Sequence, residues 1–384
     1  MGPLHGTTII EIVGLGPAPF AAMMLADMGA DVIRIDRPGG GTFGDYDQPQ
    51  LDLLNRGKRS VCVNLKTADG VETVKRMVEK ADALIEGFRP GVMERFGLGP
   101  EDCWQRNAAL VYGRMTGWGQ EGPLASSAGH DINYISLAGA AHAIGRAGEK
   151  PAIPLNLVGD FGGGGLMLAF GLVCALFESK SSAQGQVVDA AMIDGTAALM
   201  TSTFAAFQAN YWSDNRGTNM LDGGSHFYEI FETSDGKYIS LGAIEPQFYA
   251  ELLEKLGTPA KEMFAEQYDI ANWPLMQDQM AELIKQKTRD EWDSVFSGSD
   301  VCYAPVLSMA EVRQHPHHKA RETFEDQDGV WQPKPAPRFS RTEATIQRPP
   351  ATIGQHTKEV LTELGFHAEE ISAFLESGVI IQKV

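Results

Sequence analysis

Several things are scarce in this chain, and each scarcity removes a class of protein. Its four cysteines, Cys62, Cys103, Cys174 and Cys302, lie far apart with no CxxC pair. That argues against a disulfide framework or a cysteine zinc site and suits a reducing compartment. Basic charge is also short, since 32 Lys and Arg stand against 50 Asp and Glu for a net charge of -18. A surface of that sign repels nucleic acid, so no nucleic-acid partner is expected, and a small anionic ligand needs locally clustered arginines. Long apolar runs are missing too. The longest stretch, residues 165–177, is too short for a bilayer and reads as a buried helix, so no membrane span is expected. The start MGPLHGTTII has no basic leader with an apolar run behind it, and Gly2 is not followed by the Ser or Thr of a myristoylation signal. A cytoplasmic location is the expectation.

What remains is a chain of 384 residues, 43% hydrophobic, with 42 glycines and 20 prolines. That composition describes a globular α/β protein, and the length asks for two packed domains. Residues 7–13 form a β-branched run, 14–19 a turn, 20–28 a helical stretch and 31–36 a second strand, which is a βαβ start. The pattern recurs at 60–65, 71–81 and 83–86, with further strands at 110–114 and 186–191, so a mostly parallel sheet with covering helices follows. Residues 1–200 and 331–384 are expected to make the large domain, 201–222 a polar linker, and 223–330 a smaller α+β domain. A hairpin around Ser234-Asp235-Gly236 opens that smaller domain.

The candidate chemistry sits in turns and at helix starts. Gly14 and Gly16 follow a strand and open a helix, and Asp36 ends the next strand, which imitates a dinucleotide fingerprint. The third glycine is absent and Pro17 and Pro19 occupy the turn, so a tight βα turn with proline opening the helix is the better reading. His130 and Asp131 follow Gly129 in a loop, where a histidine is either a general base or an ordinary surface residue. Asp160 precedes the glycines at 162–165 and an apolar helix. There it is either an N-cap or a group at a helix start where backbone donors stabilise developing negative charge. Glu245 ends a hairpin strand ahead of another helix, either as a first-turn carboxylate or as a catalytic group. His315, His317 and His318 have no carboxylate or cysteine partner nearby in sequence, so no metal site is expected.

The segments GLGPAPFAAMMLADMGADVIRIDRP, IEGFRPGVMERFGLGPED, RMTGWGQEGP, AGHDINYISLAG, NLVGDFGGGG, GQVVDAAMIDG, GAIEPQFY and PAPRFSRT are spread in order along the chain from residue 14 to residue 342. Together they resemble the family III CoA-transferase superfamily, in its α-methylacyl-CoA racemase branch. The resemblance implies a Rossmann-like large domain plus a smaller domain, in two interlocked subunits with the active site at their interface. It implies an isomerase of fatty acid and lipid metabolism that inverts the α-carbon of 2-methylacyl-CoA thioesters. No separate cofactor is implied, because coenzyme A is part of the substrate. His130 and Asp160 match the catalytic pair, Glu245 a glutamate supplied across the dimer, and Asp131 a residue that holds the reacting thioester and orients the histidine. CoA contacts fall on Arg37, Val63, Asn64, Leu65, Lys66, Gly87, Phe88, Arg89 and Arg95. They continue through Gly129, Ile132, Asn133 and Tyr134. The rival activity is CoA transfer, in which the aspartate matching Asp160 is a nucleophile; His130 favours the racemase, since anhydride chemistry needs no histidine there.

Overall fold

Short β-branched runs separated by amphipathic helices build a parallel sheet, because each strand must be covered on both faces before the next begins. The computed structural model describes residues 1–40 and 48–383. Strands β1 (Thr8–Ile12), β2 (Asp31–Asp36), β3 (Arg59–Val63), β4 (Ala83–Glu86), β5 (Val111–Thr116) and β6 (Val187–Ala191) run parallel, with the short strand Ile380–Ile381 antiparallel at one edge. Their order is Ile380–Ile381, β3, β2, β1, β4, β5, β6. The direction of growth reverses between β1 and β4, so the loops after these two strands diverge. In doubly wound sheets ligands bind at that divergence.

The two faces are filled by different helices. On one face, helix α1 (Pro17–Asp27) buries Ala18, Ala21, Ala22 and Leu25 against Leu168, Leu172 and Leu176 of the helix Met167–Ser182. On the other, Val74, Met77 and Val78 of the helix Ala68–Val78 meet Val360, Leu361 and Ile371 of the C-terminal helices Thr357–Glu363 and Ala368–Glu376. Lys58, fully buried, bonds Glu11 Oε2 at 2.7 Å and the Pro19 carbonyl at 3.1 Å, which pins the start of α1 to β1.

The chain divides into two compact units: Met1–Ala138, Leu155–Leu199 and Glu322–Val384 form one, Gly139–Pro154 and Met200–Arg321 the other. This differs from the expected boundaries in three places. Residues 139–154 join the second unit, where the Arg216 guanidinium donates to the carbonyls of His142 and Glu149 at 3.2 and 2.5 Å. The expected linker 201–222 holds the helix Thr201–Gln208 and a loop fixed by Asn219 and Asp222. The hairpin Phe324–Gln327 and Val330–Pro333 belongs to the first unit, because Arg56 donates to Gln332 Oε1 and the Pro333 carbonyl.

One helix also departs from expectation. A π-helical segment, Leu157–Leu166, runs straight into Met167–Ser182, giving a helix of 26 residues whose most apolar 18-residue stretch has a mean hydropathy of 1.7. By length and composition alone this helix could cross a membrane, because the glycines continue it instead of ending it. Its inner side packs on the sheet, whereas Leu166, Phe170, Val173 and Phe177 form an exposed apolar stripe, so the expected buried helix is buried on one side only.

In the second unit the hairpin Tyr228–Glu232 and Tyr238–Gly242 gains a third antiparallel strand, Tyr303–Val306. The helices Pro246–Leu256, Trp273–Ile284 and Arg289–Phe296 cover it around Phe227, Tyr249, Phe264, Trp273 and Trp292. His226 lies fully buried in this core. Tyr249 gives its only hydroxyl proton to the Phe264 carbonyl at 2.8 Å, so His226 Nε2 donates to Tyr249 at 2.6 Å and Nδ1 has no bond. Burial pushes the imidazole down to about 4. The unfolded chain therefore takes up this proton first as pH falls below about 6.5, and His226 stabilises the unit only above that range. We expect wild type to lose about 2 kcal/mol more unfolding free energy than His226→Phe between pH 7 and pH 5. Equal pH slopes in chemical denaturation of the two proteins would contradict this.

Candidate active site

Beyond the end of β5 the chain packs tightly around one ring. Tyr134 meets Trp118 edge-on with centroids 4.7 Å apart. A side chain at Gly117 would run into the Tyr134 ring, and one at Gly129 would come within 2.7 Å of it. This packing fixes the start of the helix Asp131–Leu137, with His130 at the N-cap. His130 and Asp131 thus belong to a helix start, where sequence suggested an open loop. The His130 backbone N–H donates to Asn133 Oδ1 at 3.0 Å, and the His130 imidazole makes no capping bond and is exposed.

Asp160 lies within the first turn of the π-helical segment, not ahead of it. The glycines that follow exist for close backbone packing. A Cβ on Gly163 would lie 2.7 Å from Thr196 N, one on Gly164 2.8 Å from Met192 Cγ, and one on Gly165 2.7 Å from the Pro17 carbonyl oxygen. The helix Met192–Leu199 and α1 press on both sides, so the glycine run is filled by protein and does not admit a ligand. The backbone donors expected to serve a substrate oxygen are also occupied. Gly159 N and Asp160 N both donate to Asp131 Oδ1 at 2.7 Å. Asp131 is only 6% exposed, and its other oxygen, Oδ2, is buried without a hydrogen bond. Taking such an acceptor out of water costs about 1–3 kcal/mol.

The Asp160 carboxyl is half-buried and accepts from Asn156 Nδ2 at 3.1 Å. It lies against Gly16, where an added Cβ would come 3.3 Å from Oδ2, which puts it beside the turn that opens α1. Burial raises its pKa, the Asn156 bond opposes that, the Asp131 charge adds to it, and His130 lowers it. A carboxyl so perturbed at the carboxyl-terminal rim of a sheet is a candidate proton-transfer group.

The expected CoA contacts gather along the same rim. Arg37 follows β2, Asn64, Leu65 and Lys66 follow β3, and Gly87, Phe88 and Arg89 follow β4; Arg95 ends the short helix Val92–Arg95. Arg37, Lys66, Arg89 and Arg95 are exposed. Gly129, Ile132, Asn133 and Tyr134 surround His130, and the charges of both Asp160 and Arg89 act on the Tyr134 hydroxyl. Val63 differs from these in having its side chain fully buried in the core, which leaves its backbone alone to meet a ligand. Glu245, in the second unit, is the exposed N-cap of Pro246–Leu256 and makes no side-chain cap bond. Among the described residues no three His, Cys, Asp or Glu side chains gather as metal ligands.

The family model described as CoA-transferase family III matches residues 4–357. The chain belongs to that family. Alpha-methylacyl-CoA racemase of Mus musculus is 46% identical over 371 residues, 96% of this chain and 95% of that one. The Homo sapiens protein of the same name is 45% identical over 384 residues, 99% of this chain and 97% of that one. A CAIB/BAIF family protein from Brucella suis has the same fold, with a TM-score of 0.81 at 26% identity, covering 94% of this chain and 99% of that chain.

In this family III chain two functional neighbours escape a reading of motifs. Asn156 stands four residues before Asp160, where helical spacing could have suggested it. Gly195 lies far off in sequence, yet a side chain there would strike the Gly163 carbonyl and displace the segment carrying Asp160. The charge balance at Asp160 is testable. Asn156→Ala removes a bond to the carboxylate and raises the Asp160 pKa, whereas Asp131→Asn removes a neighbouring negative charge and lowers it. Carbon-detected NMR titration of Asp160 should show opposite displacements, and a shift of both in one direction would contradict the geometry.

Proposed function

We propose that this chain is an α-methylacyl-CoA racemase, inverting the α-carbon of 2-methylacyl-CoA by moving a proton off one face and onto the other. The observation that carries this reading is the Asp131 bridge. Asp131 adjoins His130 in sequence and bonds the peptide N–H of Asp160, so two proton-transfer groups share one rigid frame. Inversion demands such a pair. For one enantiomer neutral His130 removes the α-proton and protonated Asp160 returns one, and for the other the roles exchange. The raised pKa of Asp160 helps keep its carboxyl available as the acid. Asp131 Oδ1 fixes the Asp160 peptide, and the helix start that carries Asp131 also carries His130 at its N-cap.

The acyl-CoA is held by its own charge. Its phosphates meet Arg37, Lys66, Arg89 and Arg95, a local reversal of the chain's overall acidity. No separate cofactor takes part, because the thioester itself acidifies the α-hydrogen. The working form is a homodimer in which Glu245 of the partner subunit completes each site, and the exposed stripe of Leu166, Phe170, Val173 and Phe177 supports burial against a second copy. Four unpaired cysteines suit work in the cytoplasm.

Incubation with (2R)-2-methylacyl-CoA in heavy water tests the reading. The expected result is α-deuterium uptake together with loss of optical purity. His130→Ala should cut inversion by about 10²–10⁴-fold while CoA affinity is kept. Acyl transfer onto free acids without deuterium uptake would instead identify Asp160 as a nucleophile and overturn the racemase reading.

A further inference from the structure

The loop after β4 is held by a buried charged row that the proposed chemistry leaves unused. Glu86, Arg114 and Asp189 are register partners across β4, β5 and β6. Glu86 is 4% exposed, and its Oε2 accepts the Phe88 N–H at 2.7 Å, bending the chain at Gly87 directly after the strand. Arg114 lies between the two ends of the segment that follows. Its Nε is 3.7 Å from Glu86 Oε1, Nη2 pairs with Glu94 in the helix Val92–Arg95, and Nη1 donates to Gln120 Oε1 at 2.8 Å. Residues 87–95, which include both Arg89 and Arg95, are therefore clamped at either end by carboxylates that share one guanidinium. Two exposed arginines on an unclamped loop would lose rotamer and backbone freedom on meeting phosphate; a clamped loop has already lost the backbone part.

We propose that Glu86, with Arg114 and Glu94, is a positioning residue of the acyl-CoA site, holding residues 87–95 so that Arg89 and Arg95 stand ready for the CoA phosphates. This rests on the acyl-CoA reading above and deepens it. The groups facing Glu86 are Arg114 from β5, Glu94 from the short helix, Asp189 from β6 and the Tyr112 ring beneath Arg114. Burial pushes the Glu86 carboxyl up to about 7, with Glu94 and Asp189 adding to the rise and Arg114 opposing it. Phosphates arriving nearby favour the neutral carboxyl further, so CoA binding near neutral pH draws a proton onto Glu86.

Calorimetry with free CoA tests the proposal. Glu86→Ala should weaken CoA binding about tenfold, the worth of one buried charge-assisted hydrogen bond, with kcat within about twofold of wild type so that the change falls on KM. Glu86→Gln keeps an acceptor for Phe88 N–H and should restore most of the affinity, yet abolish the proton uptake that wild type shows in buffers of different ionisation enthalpy. Glu94→Ala alters a half-exposed side chain, so folding is not at issue, and it should weaken CoA about threefold or more by freeing the other end of the clamp. If both alanine variants bind CoA as wild type does, the proposal is wrong. The affinity comparison decides on Glu86 whether or not wild type exchanges the α-proton of its substrate, so the two readings fail separately.

Discussion

One carboxylate oxygen, Asp131 Oδ1, ties the candidate site together. It takes the N–H groups of Gly159 and Asp160, both at 2.7 Å, and so welds the start of one helix to the start of another. Each helix start would otherwise leave backbone donors to water. The bridge satisfies two of them, fixes His130 on one side and Asp160 on the other, and brings a negative charge close enough to raise the Asp160 pKa. The glycines of the π-helical segment serve the same end. They let α1 and the helix Met192–Leu199 close on the segment until no side chain would fit, and Asp160 is immobilised from behind as well as from the side.

Much of the fold was legible in the sequence because parallel strands are buried on both faces and leave compact aliphatic runs. Asp31–Asp36 and Ala83–Glu86 are found where the residue pattern places them, and Pro246–Leu256 and Arg289–Phe296 match because proline or a Thr288 cap marks their starts. The misreadings share a cause. Glycines at 162–165 read locally as a break, but their partners, Thr196 and Pro17, are distant in sequence, and tertiary packing overrides weak helix propensity. Residues 139–154 leave the first unit and return without any change of composition, held by Arg216 more than sixty residues away. At the site, residue types were legible while their connections were not. His130 and Asp160 stood out as chemistry at turns, but nothing local reveals that Asp131 consumes the donors meant for a substrate oxygen, or that Val63 turns inward.

The acidity of the chain and the anionic CoA moiety are reconciled by geometry. Exposed basic residues collect where β2, β3 and β4 end, beside the reversal between β1 and β4, while surplus carboxylates such as Glu11, Asp27 and Glu86 are buried against Lys58, Arg56 and Arg114. On the proposed reading, transfer chemistry asks only for the Asp160 carboxylate as nucleophile. A histidine on the same frame adds a second proton-transfer group, and with it the possibility of inverting a carbon centre.

The central claim is that His130 and Asp160 face the α-carbon from opposite sides, and crossed half-reactions test it most directly. Each enantiomer of a 2-methylacyl-CoA would be incubated in heavy water with Asp160→Asn and with His130→Gln, and α-deuterium followed without inversion. The account predicts that each variant exchanges the α-proton of one enantiomer only, and that the two variants choose opposite enantiomers. Exchange of the same enantiomer by both variants would contradict it.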